Sequence, residues 1–386
     1  MRIHPWLGRA LALAIGCAAA LGLLEAGLRA LRPSHSGLRA LLYQATLPTA
    51  YGRIADLPGL LETTVVGYRP HTEYGGYVLN GRGLRTREYG ATPAPGVFRV
   101  VALGDSFVYG GVAEAHHWCG HLERALATRH PPAAEVLRLG VPGTGPPFYL
   151  RLWEVEGARL GASVVVVGLF VGNDFFDEQG RPEGWRGRVD QAAAVSFAVR
   201  LARNLLRLEG PVARPPGASG ARHPSGGFDL SGYVYDDTRA TFSHEAFAEV
   251  ERDRMTLCLR SAGGRFATRL ERVVRVLREL DAQVRRSGAR LVVMMIPDEY
   301  QVHANMARLA ARAEGQALDA YDLDLPQREL GLALRNEGVD ALDLLPAFRE
   351  RGTAERLYVP RDTHWNRTGH RLAAEQLAAH LERSRP

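Results

Sequence analysis

Four short motifs carry residue types suited to acyl chemistry. The first is Gly104-Asp105-Ser106-Phe107-Val108-Tyr109-Gly110. A serine hydroxyl becomes a nucleophile when a neighbouring base takes its proton. At a turn from strand into helix its backbone N–H also lies where negative charge is stabilised. The same residues equally suit an ordinary turn in which Asp105 and Ser106 are caps. The second motif is Gly140-Val141-Pro142-Gly143-Thr144-Gly145, where the Gly143 N–H could donate to an oxyanion, although glycine turns after strands are common. The third is Gly172-Asn173-Asp174, which offers the Asn173 amide as a donor or, equally, as a local turn cap. The fourth is Asp362-Thr363-His364-Trp365-Asn366. Histidine titrates near neutrality, and a carboxylate on its second nitrogen fixes the tautomer and stabilises the imidazolium. At i and i+2 of an extended segment, Asp362 and His364 would point to one side. A surface aspartate near a helix start is the plainer alternative.

The elements that must position these residues are readable from hydrophobic pattern. Short β-branched or apolar runs occur at Phe98–Leu103, Glu135–Leu139, Ser163–Leu169, Arg290–Ile296 and Val339–Leu344, with helical patterns between them. Near-continuous apolar strands alternating with helices indicate a parallel sheet covered on both faces. Before Arg290, residues Phe266, Leu270, Val273, Val274, Leu277 and Leu280 share one helix face. Residues 176–262 interrupt the rhythm. They include an amphipathic basic helix over Ala192–Leu208, expected to be a cap or, less often, a membrane-surface helix, and a Pro/Gly/Ser-rich loop over Pro211–Gly227.

The motifs fall at predicted strand ends in one order. So arranged, the sequence resembles the SGNH hydrolases, the GDSL-type serine esterases, over about residues 97–175 and 264–386. The blocks are GDSFVYG at Gly104, Gly143, GND at Gly172 and the Asp-His pair at Asp362. The stretch VLNGRGLRTRE at Val78–Glu88 is similar to that of a bacterial subgroup with an N-terminal membrane segment. The resemblance implies an α/β fold, a flavodoxin-like three-layer α/β/α sandwich around a parallel sheet of about five strands. An N-terminal membrane helix and a cap-like insertion are expected in addition. It implies Ser106 as nucleophile, His364 as base and Asp362 as the residue that orients His364. The oxyanion hole would comprise the backbone N–H groups of Ser106 and Gly143 and the amide of Asn173. No cofactor and no metal are implied.

Two departures matter. Family members usually space the pair as Asp-x-x-His; here it is Asp362-Thr363-His364. That spacing with a following Trp resembles alginate acetylation enzymes and related polysaccharide O-acetyltransferases, in which, however, the Asp-His motif precedes the serine. Arg361 cannot replace Asp362; Asp298 and Asp343 are the other acids near strand ends. Secondly, Arg138 stands where asparagine is often found before the Gly143 loop, so a more positive pocket is expected there.

The N-terminus points to an envelope setting. Ala10–Leu24 is an unbroken run of apolar residues and glycine behind Arg2 and Arg9, as in a signal-peptide core. With no clean small-x-small cleavage site, a signal anchor is expected, with the catalytic domain on the periplasmic side; a cleaved peptide would make the protein secreted. The expected layout is 1–33 signal anchor or peptide, 34–96 extension, and 97–386 hydrolase domain.

All 48 basic residues are arginine, yet the net charge is only +6 and acids are interspersed, which gives no nucleic-acid signature. Of the three cysteines, Cys119 and Cys258 are expected as isolated buried thiols, with pairing between them left open. His116, His117, Cys119 and His121 lack partners at metal spacing, so no metal site is expected. His370 is expected to be structural.

Three functions fit. The first is hydrolysis of acyl or acetyl esters on an envelope glycan or lipid. The second is O-acyl transfer to a cell-envelope polysaccharide with the same triad. The third is a non-catalytic glycan-binding protein on an esterase fold. The expected partners are thus an acylated glycan or lipid ester and the membrane; the oligomeric state is unknown.

Overall fold

The structure is a computed structural model that describes residues 16, 19–27, 71, 73–74, 77–128, 133–176, 202 and 236–383. The chain divides into two compact units: residues 1–48, 53–61 and 181–212, and residues 49–52, 62–180 and 213–386. In the first unit, residues 19–27 are helical. Among the described residues no helix is long and apolar enough to cross a membrane, and much of Ala10–Leu24 lies outside them. The predicted basic helix Ala192–Leu208, apart from Ala202, and the loop Pro211–Gly227 also lie outside them.

The second unit is built on a five-stranded parallel sheet: β1 (Val97–Gly104), β2 (Ala133–Gly140), β3 (Val164–Phe170), β4 (Arg290–Ile296) and β5 (Asp340–Asp343), in the order β2-β1-β3-β4-β5. The expected α/β fold and strands are present, each within two residues of its predicted ends. β3 is buried along its whole length, which is why its sequence is a near-unbroken valine run. Alternation does the rest. Val100, Ala102, Val164, Val166, Val292 and Met294 join a core that includes Trp118 and Leu122 of α2 (Trp118–Ala127) and Leu372, Leu377 and Leu381 of α8 (Arg367–Arg383). The intervening residues point to the opposite face. There α3 (Pro146–Val155) and α7 (Leu325–Asn336) pack against α5 (Gly263–Arg286), the long helix predicted from the Phe266–Leu280 stripe.

The strand order places the site. From β1 the chain crosses to β2 on one side and later to β3 on the other, so the crevice at their carboxyl ends is a topological switch point. Ser106 follows β1, Gly143 follows β2 and Asn173 follows β3. The described part of the insertion adds α4 (His244–Met255), which packs on α6 (Ala304–Ala313). A one-turn helix α1 (Ser106–Tyr109) begins at the serine itself, capped by Asp105.

The helix α1 lies so close to the sheet that a Cβ at Gly140 would come within 2.3 Å of the Tyr109 backbone nitrogen. Gly140→Ala is therefore expected to lower unfolding free energy by about 1–3 kcal/mol through overpacking against backbone. The urea midpoint would fall with unchanged m; an unchanged midpoint would mean that α1 can shift freely.

Candidate active site

The site is assembled from the ends of three strands and one late loop. Ser106, first residue of α1, is half-buried, and its N–H is among the helix donors with no acceptor inside the helix. Its Oγ lies 2.8 Å from Nε2 of His364, and His364 Nδ1 lies 2.6 Å from Oδ1 of Asp362. The structure thus brings Ser106, His364 and Asp362 into one hydrogen-bonded chain.

The late loop achieves this differently from the sequence expectation. Residues 360–364 are bent, not extended. Tyr358 and Trp365 pair across the base of the loop, and the Val359 N–H donates to the His364 carbonyl at 3.0 Å. Arg361 sits in the left-handed region at φ 47°. Asp362 Oδ1 accepts from the His364 backbone N–H at 2.9 Å as well as from the ring. This local side-chain turn, which Asp forms readily two residues ahead of the donor, explains why a spacing of i, i+2 suffices. The other acids are engaged elsewhere. Asp343 Oδ1 accepts from Leu345 N at 2.9 Å, as a strand-end cap, and Asp298 Oδ1 accepts from Glu299 N at 2.7 Å.

Two of the expected oxyanion donors differ in their state. Gly143 is buried at φ 68°, a backbone conformation that explains glycine there. The Asn173 side-chain Nδ2 donates to Asp105 Oδ2 at 3.3 Å, while its Oδ1 has no hydrogen-bond partner. An amide nitrogen carries two hydrogens, so one stays available to a substrate oxygen. Asp105 is fully buried and also accepts the Phe107 N–H at 2.9 Å. Burial pushes its carboxyl up, against the pull of those donors and of His364. Asp174 of the third motif is committed to Tyr149 Oη at 2.8 Å and Phe170 N at 2.9 Å.

The histidine is electrostatically tuned. Burial works against the charged ring, but the charge and hydrogen bond of Asp362, with Asp105, outweigh it and raise His364 above its ordinary 6.5. Burial pushes Asp362 up, yet the charge of His364 and the bonds from His364 and Thr241 hold it below 3.8. The His364 side chain keeps 42 % of its exposure and that of Asp362 only 10 %, so the ring, not the acid, faces the opening.

Other candidates resolve into structural roles. Arg138 does not make a free positive wall: it is buried, with its guanidinium ion-paired to Glu114 and donating to the Tyr109 carbonyl at 3.3 Å. Tyr109 is itself packed, with the Arg85 guanidinium 5.0 Å from its ring centre. His117 caps α2 by accepting from Cys119 N at 3.1 Å, and its Nε2 lies 3.2 Å from the Phe107 carbonyl, which fixes a neutral Nε2–H ring. His370 is buried and accepts the Trp118 N–H at 3.4 Å. Cys119 and Cys258 are free, buried thiols. Among the described residues no three or more His, Cys, Asp or Glu residues are grouped to hold a metal.

Residues 260–386 match the family model of the SGNH hydrolase-like domain of the acetyltransferase AlgX, a span that includes Asp362 and His364 but not Ser106. Over those residues the chain is similar to an SGNH hydrolase-like domain. No curated protein matches the chain. Among solved structures, it is similar to the acetyl xylan esterase AlAXEase at 11% identity, covering 73% of this chain and 98% of that one, TM-score 0.37. It is similar to TesA at 12% identity, covering 74% and 98%, TM-score 0.38. A mutant of Axe2, an acetyl-xylooligosaccharide esterase from Geobacillus Stearmophilus, aligns at 12% identity over 74% and 94%, TM-score 0.39.

Proton NMR should place the His364 ring titration above 6.5, and Asp362→Asn, by removing the charge that raises it, should lower the midpoint. A wild-type midpoint at or below 6.5 would contradict the ion pair. The linkage has a definite sign. The raised histidine stabilises the fold fully below the ordinary imidazole value, and that contribution disappears as pH rises through the folded value.

Proposed function

We propose that this protein is a serine acyltransferase that moves a small acyl group, of acetyl size, from a donor ester to a hydroxyl of a cell-envelope polysaccharide. The observation that carries an acyl-enzyme mechanism is the Ser106–His364–Asp362 chain of 2.8 and 2.6 Å contacts. Hydrolysis and transfer share this chain, and the match of residues 260–386 to the SGNH hydrolase-like domain of the acetyltransferase AlgX favours transfer. An intact hydrogen-bonded chain also weighs against a decayed, purely binding role.

In this reading His364 Nε2 takes the Ser106 proton as Oγ attacks the carbonyl carbon of the donor ester. Charge passes to the carbonyl oxygen, which the N–H groups of Ser106 and Gly143 and the Asn173 amide receive. The C–O bond to the alcohol breaks, the alcohol leaves with the proton from His364, and acyl-Ser106 remains. A sugar hydroxyl then gives its proton to His364, attacks the acyl carbon, and releases Ser106 as Oγ regains a proton. Water in the acceptor's place gives hydrolysis, so the two activities differ only in what occupies that position.

Incubation with p-nitrophenyl acetate and an unacetylated envelope polysaccharide tests the reading. Nitrophenol release should rise with acceptor, and mass spectrometry should find the acetyl group on sugar. Release unaffected by any acceptor, with all acetyl as free acetate, would return the assignment to a hydrolase. Ser106→Ala should lower kcat by about three orders of magnitude or more in a folded protein.

The same reading places the enzyme outside the cytoplasm, held by the apolar Ala10–Leu24 run. Fused after Pro386, a reporter active only in the periplasm should be active and one fluorescent only in the cytoplasm dark. The reverse pattern would refute the placement.

A further inference from the structure

The triad's acid has a partner that the acyl-transfer chemistry does not itself require. Asp362 Oδ1 is occupied by the ring and backbone of His364, and its second oxygen, Oδ2, accepts from the hydroxyl of Thr241 at 2.5 Å. Thr241 lies 121 residues upstream, just before α4, in the segment that interrupts the βα rhythm. Its position is not an accident of a mobile side chain. The backbone N–H groups of Thr241 and Phe242 donate to the Pro360 and Arg361 carbonyls, both at 3.2 Å. Arg361 returns the contact: its Nε donates to the Phe242 carbonyl at 2.7 Å, and one terminal nitrogen lies 3.0 Å from His244 Nε2. Arg367 and Asp237 pair at 3.7 Å on the same seam. The left-handed backbone at Arg361, unusual for a residue with a side chain, is held within this two-way clasp.

We propose that Thr241 is a positioning residue of the catalytic acid, and that the segment before α4 serves to deliver it to Asp362. A carboxylate that accepts at only one oxygen can rotate about its Cβ–Cγ bond and present either oxygen to the histidine. A donor fixed on Oδ2 removes that freedom and leaves Oδ1 for Nδ1. The hydroxyl also covers the acid: Thr241 is exposed while Asp362 is not, so the threonine stands between the carboxylate and solvent. Water in its place would satisfy the oxygen without fixing its direction. The inference rests on the acyl-enzyme reading above and concerns the same site.

Removing the hydroxyl should act on rate and not on substrate affinity. Thr241→Val, nearly the same shape, should lower kcat for p-nitrophenyl acetate about tenfold, the barrier equivalent of one hydrogen bond to a charged group, with KM little changed. Thr241→Ser should restore it. A second readout separates positioning from mere folding: the rate of Ser106 labelling by a fluorophosphonate, followed against pH in the full-length protein. The ascending limb reports the His364 base. The groups that face the base and its acid are Asp362, Asp105, Arg254, Asp298 and Glu299, none of which either substitution alters. With Asp362 less firmly held against the ring, the limb should move to lower pH in Thr241→Val and return in Thr241→Ser. A valine variant with wild-type kcat and pH limb would overturn the proposal. So would a loss that leaves the limb in place and that serine fails to rescue. If the wild-type protein itself is not labelled at Ser106, it is the acyl-enzyme reading that fails, not the role of Thr241.

Discussion

An imidazole can draw a proton from serine only if the nitrogen facing the hydroxyl is bare, so the proton must sit on the other nitrogen. In the proposed acyl transfer that requirement falls on a single oxygen, Oδ1 of Asp362. It accepts from both the ring and the backbone N–H of His364, and so fixes tautomer and ring direction together. The surroundings of the late loop follow from keeping that contact in register with Ser106. Trp365 is fully buried and meets Phe107 of α1 edge-on at 4.9 Å. The His364 ring lies 5.3 Å from the same phenyl ring, so the loop that carries the histidine and the helix that carries the serine share two aromatic contacts. Asn366 Oδ1 accepts the Gly369 N–H at 3.0 Å and secures the start of α8 directly behind it.

Around this chain the protein buries charges that only pairing makes tolerable. An unpaired carboxylate or guanidinium taken out of water costs several kcal/mol. Arg138 meets this cost through Glu114 and the Tyr109 carbonyl. Beside β4, Glu251 and Asp298 are both fully buried with Arg254 between them, 3.5 and 3.7 Å away. Burial pushes both acids up; the charge of Asp298 raises Glu251 further, while Arg254 draws both down. Of these groups Arg254 works against a charged His364 ring, and the His364 charge in turn draws Asp298 down.

The fold was legible because burial on two faces leaves a direct trace in composition. The valine run of β3 and the Phe266–Leu280 stripe of α5 each have one physical reading, and the elements lie where pattern puts them. Motif spacing also anticipated which residues converge, since the carboxyl ends of β1, β2 and β3 are neighbours in any sheet of this order. The prediction of an extended Asp-x-His segment was wrong in form. Two side chains can meet at i, i+2 through an extended strand or through a side-chain-capped turn, and sequence does not distinguish them. Arg138 was misread for a related reason: type and position reveal a charge, but not that Glu114 neutralises it.

Thr241 marks the limit of such reading. Nothing in Arg239-Ala240-Thr241-Phe242 sets its threonine apart, because its meaning comes from a partner 121 residues away. By itself the sequence determined the strands, the helix faces and which serine, histidine, aspartate and asparagine stand at the strand ends, since these depend on local periodicity and on residue chemistry. Only the tertiary structure decided which oxygen of Asp362 faces the ring, what holds the other, and which buried charges are paired. Those outcomes depend on distances of a few tenths of an ångström between segments remote in the chain, and hydrogen bonding is steep enough over that range to make them decisive.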